Sequence, residues 1–477
     1  MNETGLLIGG RWRSGGTPTQ IVDRYSGEPV AVVESATVRH VDSALALAAK
    51  VTAHRPPPQY DRAEVLRRAG AILMADRENV LRDYVAETGF TVGDAEAELA
   101  RACETLRQCA NECLRLSGDC GPIRPQPGSG DWLEFSLRVP VGIVVAILPF
   151  NAPLDTLVSS VGPALAAGNA VVIKPAEATP LSAIRVCAAL LAAGLPEPYL
   201  SLLPGPGKVI GQRLVSDRRV GFVAFTGSSK VGAQIKQSSG VAKTRLELGA
   251  NSATIVCSDA DIEGAAAAIV PSGYRKAGQV CTSVQRVLAD AAIFDGLSHA
   301  LGEQVRKLIA GDPRLPSTSL GPMISDAEAA RACDWVQDAI RGGGHVLAGG
   351  DREAGLMDAT LVADPPDQSR IMRQEIFAPI IAIRRVRDPD EAIGIINASR
   401  YGMHAGVFTR DIGIAFAAAH RLNVGSVIVN YSAGTGRDLP ADSGAGSGRF
   451  RPGASAATIA EMTDTRLVVL SGVGAAG

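Results

Sequence analysis

The chain has 477 residues, of which 47 are basic and 49 acidic, for a formal net charge of −2. That length exceeds the roughly 250–300 residues at which one hydrophobic core stops growing, so at least two domains are expected. The balanced charge excludes the basic excess of a nucleic-acid binder and no polybasic patch marks a membrane surface, which leaves a small molecule as the expected partner.

Eight cysteines in this length make no disulfide framework, and Cys103, Cys109, Cys113 and Cys120 match no zinc spacing. The histidines (His40, His54, His299, His345, His404, His420) are scattered singly, as surface or satisfied-core residues are, so no metal is expected. The first ten residues hold only Leu6-Leu7-Ile8 as an apolar stretch and no charged leader, so no secretory signal is expected. The apolar run at 141–148 is far below the ~20 residues that span a bilayer. A cytoplasmic protein is the expectation.

In chain order, Cys109 and Cys113 are spaced to share one helix face. The Pro- and Gly-rich stretch 122–130 leads into a strand-like run at 131–138, an excursion from the main body. A strand at 141–148 is followed by a helix at 156–167, a strand at 170–174 and a helix at 181–193. Further on, a strand at 220–225 precedes a helix at 230–238. A second series has a strand at 253–256, a helix at 261–275 and a strand at 284–289. Short β-rich runs alternating with Ala-rich helical patterns predict parallel βαβ units, here in two α/β domains. Residues 432–453, rich in Gly, Ser and Ala, read as a mobile loop.

The chemistry centres on Cys281, in Ala277-Gly278-Gln279-Val280-Cys281-Thr282-Ser283, and Glu247, in Leu246-Glu247-Leu248-Gly249-Ala250-Asn251. A thiolate attacks an electrophilic carbon well, and a nearby carboxylate can take a proton from the thiol or from water. A lone cysteine is ordinarily an inert core residue, but the polar, Gly-bearing turn around Cys281 is the setting of a reactive group on a loop. A lone Glu is ordinarily a capping or ion-pairing group.

No G-x-G-x-x-G follows an early strand, and Gly205-Pro206-Gly207 does not supply it. Phe225-Thr226-Gly227-Ser228 instead ends one strand and opens a helix, where N–H groups and Ser228 can hold a pyrophosphate; a plain Ser228 cap is the alternative. These segments stand in order with Leu148-Pro149-Phe150-Asn151-Ala152-Pro153, Gly168-Asn169-Ala170-Val171-Val172-Ile173-Lys174-Pro175-Ala176-Glu177 and Gln374-Glu375-Ile376-Phe377-Ala378-Pro379. The ordered set, over nearly the whole chain, resembles the aldehyde dehydrogenase superfamily.

The resemblance implies an α/β fold of aldehyde dehydrogenase type, with two Rossmann-like α/β domains and a β oligomerisation arm. By it, 1–118 and 142–246 form the NAD-binding domain and 247–431 the catalytic domain. Residues 119–141 and 432–477 form the arm and C-terminal segment, in which a strand at 466–470 joins the hairpin. A homodimer or homotetramer follows.

Motif by motif, Cys281 is implied as nucleophile, Asn151 and the Cys281 N–H as oxyanion donors, and Glu247 as the base for hydrolysis, against acyl transfer to coenzyme A. The implied cofactor is NAD, with Lys174 and Glu177 on a ribose and Glu177 repelling a 2′-phosphate. Gly227 and Ser228 fall at the pyrophosphate, Glu375 and Phe377 at the nicotinamide ribose and ring, and Pro149, Gly207 and Leu248 along the cofactor. An ordinary ion pair of Lys174 with Glu177, and a strand-end turn at 375–377, are the plain alternatives.

Two departures from the family pattern bear on substrate. Ala152 stands where an aromatic residue is common, and Leu439-Pro440-Ala441-Asp442-Ser443 replaces an aromatic-Gly-Gly segment. Lost rings widen the route to Cys281, which predicts a bulky, aromatic or polycyclic aldehyde. The run Tyr401-Gly402-Met403-His404-Ala405-Gly406 resembles the branch acting on lactaldehyde and small anionic aldehydes, which is the alternative. There Val280 replaces an Arg seen in part of the branch, leaving Arg286 and Arg437 as candidate anion contacts beside an equally ordinary surface role. The divergent segment also leaves open a non-catalytic member of the family.

Overall fold

The computed structural model describes residues 5–120, 132–431, 443–446, 448–450 and 456–471; the stretch 122–130, most of 432–453 and Arg437 lie outside them. The strands used below are, in chain order, β1 (Leu6–Ile8), β2 (Arg11–Arg13), β3 (Thr17–Val22), β4 (Pro29–Ser35), β5 (Trp132–Pro140), β6 (Ile143–Ile147), β7 (Ala170–Lys174), β8 (Leu200–Leu202), β9 (Val220–Thr226), β10 (Lys243–Glu247), β11 (Ala253–Val256) and β12 (Arg286–Asp290). They continue with β13 (His345–Ala348), β14 (Thr360–Ala363), β15 (Ile380–Val386), β16 (His404–Phe408), β17 (Ser426–Val429) and β18 (Thr463–Ser471).

The first sheet has the order β10-β9-β6-β7-β8-β1-β2, with β10 through β8 parallel and β1 and β2 antiparallel at the edge. Every residue of β6 and β7 is buried, as expected of parallel strands covered by helices on both faces. Between them the helix Asp155–Ala167 stops at Gly168, whose φ of 91° places it in the left-handed region that ends helices without a Cβ penalty. β7 and β8 lie on one side of β6, and β9 and β10 on the other. The order therefore reverses between β6 and β9, and the carboxyl ends of strands at such a reversal are the usual ligand position in an open α/β sheet.

The second sheet runs β13-β14-β15-β12-β11-β16-β17, parallel except for β13. Its strands feed two cores alternately: Leu288, Val362 and Ala382 face one, while Val287, Ala289, Leu361, Ile381 and Ile383 face the other. This period of two along apolar strands is the physical content of a sheet with helices on both faces. A two-stranded ribbon pairs β5 with β18 antiparallel from Thr463 opposite Pro140 to Ser471 opposite Trp132. Among its side chains Leu137, Leu467 and Val469 are exposed.

β12 begins at Arg286 rather than 284, and the carboxamide of the preceding Gln285 bridges Ala250 O (2.9 Å) and the Ile376 N–H (2.8 Å). The helix expected at 261–275 is Ile262–Tyr274, with Asp261 as its N-cap accepting from the Gly264 N–H. It stops there because Arg275 leaves the helical region with a ψ of 138°. No helix among the described residues is long and apolar enough to cross a membrane.

Candidate active site

Four neighbouring strands of the first sheet deliver candidate residues at one edge: β6 leads to Pro149 and Asn151, β7 ends in Lys174, β9 leads to Gly227 and Ser228, and β10 ends in Glu247 beside Leu248. The Gly227 N–H donates to the Glu247 carbonyl (3.0 Å), tying two of these loops together. Lys174 is buried, with Nζ donating to the Pro175 carbonyl at 2.8 Å. Burial lowers its ammonium from the ordinary value, and the Glu177 carboxylate opposes that. Glu177 accepts from the Gly207 N–H at 2.9 Å, so Lys174, Glu177 and Gly207 form one group. Ser228 Oγ caps the helix Ser229–Ser238, accepting from the Val231 N–H, and Leu248 rests on Gly232 of the same helix. The hydroxyl thus serves as a cap, and the N–H groups of the first turn are what this end offers an anion.

The thiol side is built differently. Lys276, Ala277 and Gly278 have φ values of 53°, 52° and 67° in succession. A left-handed conformation costs on the order of 1–2 kcal/mol at each of the two non-glycine residues, so tertiary contacts must hold it. Gly278 lies against the Ala378 carbonyl, where an added Cβ would stand 2.0 Å from the oxygen. Asn151 Nδ2 donates to the Gln279 carbonyl at 2.8 Å, and Gln279 Oε1 accepts from the Ile324 N–H at 3.0 Å. One amide N–H of Asn151 is thereby spent on the cysteine loop, and the second is the one an oxyanion can use.

Cys281 is partly exposed, and its thiol is pushed up to about 12 by burial first and then by the carboxylates of Glu247 and Glu375; Arg275 and its own backbone N–H oppose this. At neutral pH the sulfur is a thiol in this conformation. Glu247 is held by Arg245 Nη2 at 2.7 Å. Glu375 reaches back over Gly249, where a Cβ would stand 2.0 Å from Oε2, and accepts from the Ala250 N–H at 2.9 Å. Burial pushes its carboxyl up to about 7, against the Ala250 N–H, Arg331 and Arg400. Phe377, at a φ of 52°, meets Phe150 edge-on with ring centroids 5.9 Å apart. Asn151, Glu247, Glu375 and Cys281 are one assembly.

Several contributors carried no signal of their own in the sequence. Lys276 Nζ makes an ion pair with Glu98 and donates to the Asn151 carbonyl at 2.8 Å, and the other Glu98 oxygen accepts from the Leu154 (2.9 Å) and Asp155 (3.2 Å) N–H groups. Tyr84 OH donates to Glu98 Oε2 at 2.7 Å. The one legible hint was Glu98 standing among Ala95, Leu99 and Ala102 on the apolar stripe of the helix Val92–Arg115.

Two expectations are corrected. Arg286 is neither an anion contact nor a surface residue: on a central strand it donates to the Asn251 (2.8 Å) and Met372 (3.4 Å) carbonyls, and burial lowers it to about 10. His404 is buried with Nε2 unpartnered, so it is not a fully satisfied core histidine; burial lowers it to about 4, opposed by a hydrogen bond with the Thr282 backbone. Arg437 lies outside the described residues.

Comparison with known proteins identifies the family. The model of the aldehyde dehydrogenase family matches residues 12–468. A 3-sulfolactaldehyde dehydrogenase of Priestia aryabhattai is 38% identical over 472 residues, 99% of this chain and 98% of that protein. The crystal structure of aldehyde dehydrogenase 21 from Physcomitrella patens, in complex with the reaction product succinate, superposes with a TM-score of 0.93 at 29% identity, covering 99% of this chain and 98% of that one. An NADP-dependent glyceraldehyde-3-phosphate dehydrogenase from Bacillus halodurans C-125, complexed with NADP, gives a TM-score of 0.92 at 30% identity, covering 98% of each chain. With nearly its whole length matched by the family model and by a relative of 38% identity, the chain belongs to the aldehyde dehydrogenase family.

Proposed function

We propose that this aldehyde dehydrogenase oxidises a small aldehyde bearing an anionic group to its carboxylic acid, with NAD, through a covalent adduct on Cys281. The observation that carries the reading is the assembly around the sulfur: two carboxylates and the guanidinium of Arg275 within electrostatic reach of Cys281, with Asn151 bonded to the same loop. The small anionic class is supported by the 3-sulfolactaldehyde dehydrogenase relative and by Arg275 as the cation whose field reaches the sulfur. A bulky or aromatic aldehyde is the second reading, and it rests on the small side chain of Ala152.

The thiolate fraction of Cys281 attacks the aldehyde carbon and forms a C–S bond. The carbonyl oxygen becomes an oxyanion that the second amide N–H of Asn151 and the Cys281 N–H would hold. The nicotinamide cofactor supplies the two-electron acceptor that takes this carbon to the thioester level. Glu247, oriented by Arg245, takes a proton from water as the water adds to the thioester carbon, and the C–S bond breaks to return the sulfur. Glu375 and the Phe377–Phe150 ring pair close the side of the site where the nicotinamide end would lie.

The donor set fits a dinucleotide: a buried ammonium at Lys174, a carboxylate at Glu177, room at Gly207, Pro149 just after β6, and a capped helix terminus after Gly227 with Leu248 packed on it. NAD is preferred because Glu177 would oppose a 2′-phosphate. The same reading divides the chain into cofactor-binding residues 1–118 and 142–246, catalytic residues 247–431, and an arm of 119–141 and 432–477. The exposed apolar side chains of the β5–β18 ribbon support pairing in a homodimer or homotetramer, since a two-stranded ribbon is marginal alone. Turnover should be measured with sulfonate-, carboxylate- and phosphate-bearing, short aliphatic and aromatic aldehydes, with NAD and NADP. The highest kcat/KM should fall on a small anionic aldehyde with NAD, whereas a preference for aromatic aldehydes would select the second reading.

A further inference from the structure

Lys276 and Glu98 form a fully buried ion pair that joins two loops of different sheets. The ammonium donates to Glu98 and to the Asn151 carbonyl, which is the backbone of the oxyanion loop; Glu98 in turn receives the N–H groups of Leu154 and Asp155 in the same loop and the hydroxyl of Tyr84. Lys276 also sits over the rings of Tyr84 and Phe90, 5.8 and 5.3 Å from their centroids, so the cation is enclosed on its remaining sides. A second pair, Arg101 with Asp155 at 3.3 Å, stands beside it, so positive and negative groups alternate. Burial alone would push the Glu98 carboxyl up, but Lys276 and the Tyr84 hydroxyl outweigh it and hold the group below its ordinary value.

A buried ion pair is weak evidence for stability, because hydrophobic residues fill such a volume as well, and a role in conformational specificity has to be argued from the particular site. Here the backbone supplies the argument. Lys276 occupies a left-handed conformation that its side chain disfavours, and it lies only five positions before Cys281 in the chain. Its ammonium holds the main chain of Asn151, while the Asn151 carboxamide holds the Gln279 carbonyl, two residues before the sulfur. The two bonds close a ring between the loop that carries one oxyanion donor and the loop that carries the other.

We infer that the buried Lys276–Glu98 pair is a positioning clamp that sets the Asn151 carboxamide against the Cys281 loop, so that both oxyanion donors belong to one preassembled unit. The inference rests on the reading of Asn151 and Cys281 given above. Both clamp residues are buried against each other, which leaves them a positioning role. Arg275 is the cation acting on the thiol, whereas Lys276 acts through Asn151.

The test is a coupling measurement on the full-length protein with its best aldehyde. Lys276→Met alone would strand a buried carboxylate, so the clamp is removed as Lys276→Met with Glu98→Gln, which keeps an acceptor for the Leu154 and Asp155 N–H groups. This double variant should lower kcat by about 10–100-fold and change either KM by less than about threefold, because displacing a donor by a fraction of an ångström affects the transition state more than binding. Combined with Asn151→Ala, it should cost little beyond Asn151→Ala itself, since residues acting as a unit are not additive. Tyr84→Phe, which removes one hydrogen bond to Glu98 and disturbs neither loop directly, should show the same pattern at about two- to fivefold and serves if the double variant does not fold. Losses that multiply in the Asn151→Ala background, or a double variant with wild-type kcat, would overturn the clamp. Wild-type kcat in Asn151→Ala would instead overturn the oxyanion reading beneath it.

Discussion

The cofactor edge and the cysteine loop are adjacent, yet they are built on opposite principles. Lys174, Glu177, Gly227 and Ser228 follow regular strands or open a helix; Ser228 caps its own helix and Lys174 bonds the next residue, while Glu177 and Gly227 reach only to the neighbouring segments at Gly207 and Glu247. The cysteine loop has two consecutive non-glycine residues in the left-handed region and depends on Glu98, Asn151, Ala378 and Ile324, all distant in the chain. Rigid scaffolds can supply binding groups from ordinary geometry, whereas the proposed oxyanion donors and nucleophile, carried on different loops, require imposed geometry.

The largest test of this contrast substitutes one glycine on each side. Gly278→Ala forces a Cβ against the Ala378 carbonyl at a positive φ and should lower kcat by about 10² or more, while Gly207→Ala, whose Cβ would meet only the Lys174 chain at 3.6 Å, should shift the KM for NAD by no more than a few-fold. Equal losses in steady-state kinetics would erase the distinction.

Next in size is Glu247→Gln, which should lower steady-state turnover by about 10² while leaving a first-turnover burst of NADH. The same change removes a negative charge that raises the Cys281 thiol, so the thiolate fraction and the rate of iodoacetamide inactivation at pH 8 should rise. Slower alkylation would mean that Glu247 activates the thiol and would sink the field argument.

On the cofactor edge, Glu177→Gln should improve kcat/KM for NADP relative to NAD by roughly tenfold, one charge's worth of discrimination. An unchanged ratio would remove Glu177 from cofactor choice.

The smallest effect is on stability. The His404 value of about 4 lies below the ordinary 6.5, so the folded state resists protonation that the unfolded chain accepts. Its contribution is complete above pH 6.5 and is lost as pH falls toward 4, by about 2 kcal/mol between pH 7.5 and 5. Urea unfolding at those two pH values should show a shallower pH dependence for His404→Gln than for the wild type; parallel slopes would count against a buried neutral imidazole.

Much of the fold was legible because it depends on local pattern. The strands Ala170–Lys174 and Ala253–Val256 were read to the residue, since short apolar runs bounded by Gly or Asn carry their own signal. The motif residues could be singled out because the family's segments recur in order. Arg286 was misread because a charged residue is ordinarily exposed, and nothing local reports that two main-chain carbonyls wait for it in the core. Glu98 and Lys276, 178 residues apart, could not be paired from sequence, since no spacing rule links a helix to a loop of another sheet.

What the sequence determined by itself was therefore the alternation of strands and helices, the chemical character of Cys281, Glu247, Asn151, Lys174 and Glu177, and the family they imply. Only the tertiary structure decided which of them meet. It placed Glu375 over Gly249, raised the thiol by burying it and by setting it near two carboxylates, and locked Lys276 into a left-handed turn against Glu98. The physical reason is range. Propensity and periodicity act over a few residues, while burial and charge pairing depend on groups brought together only when the whole chain has folded.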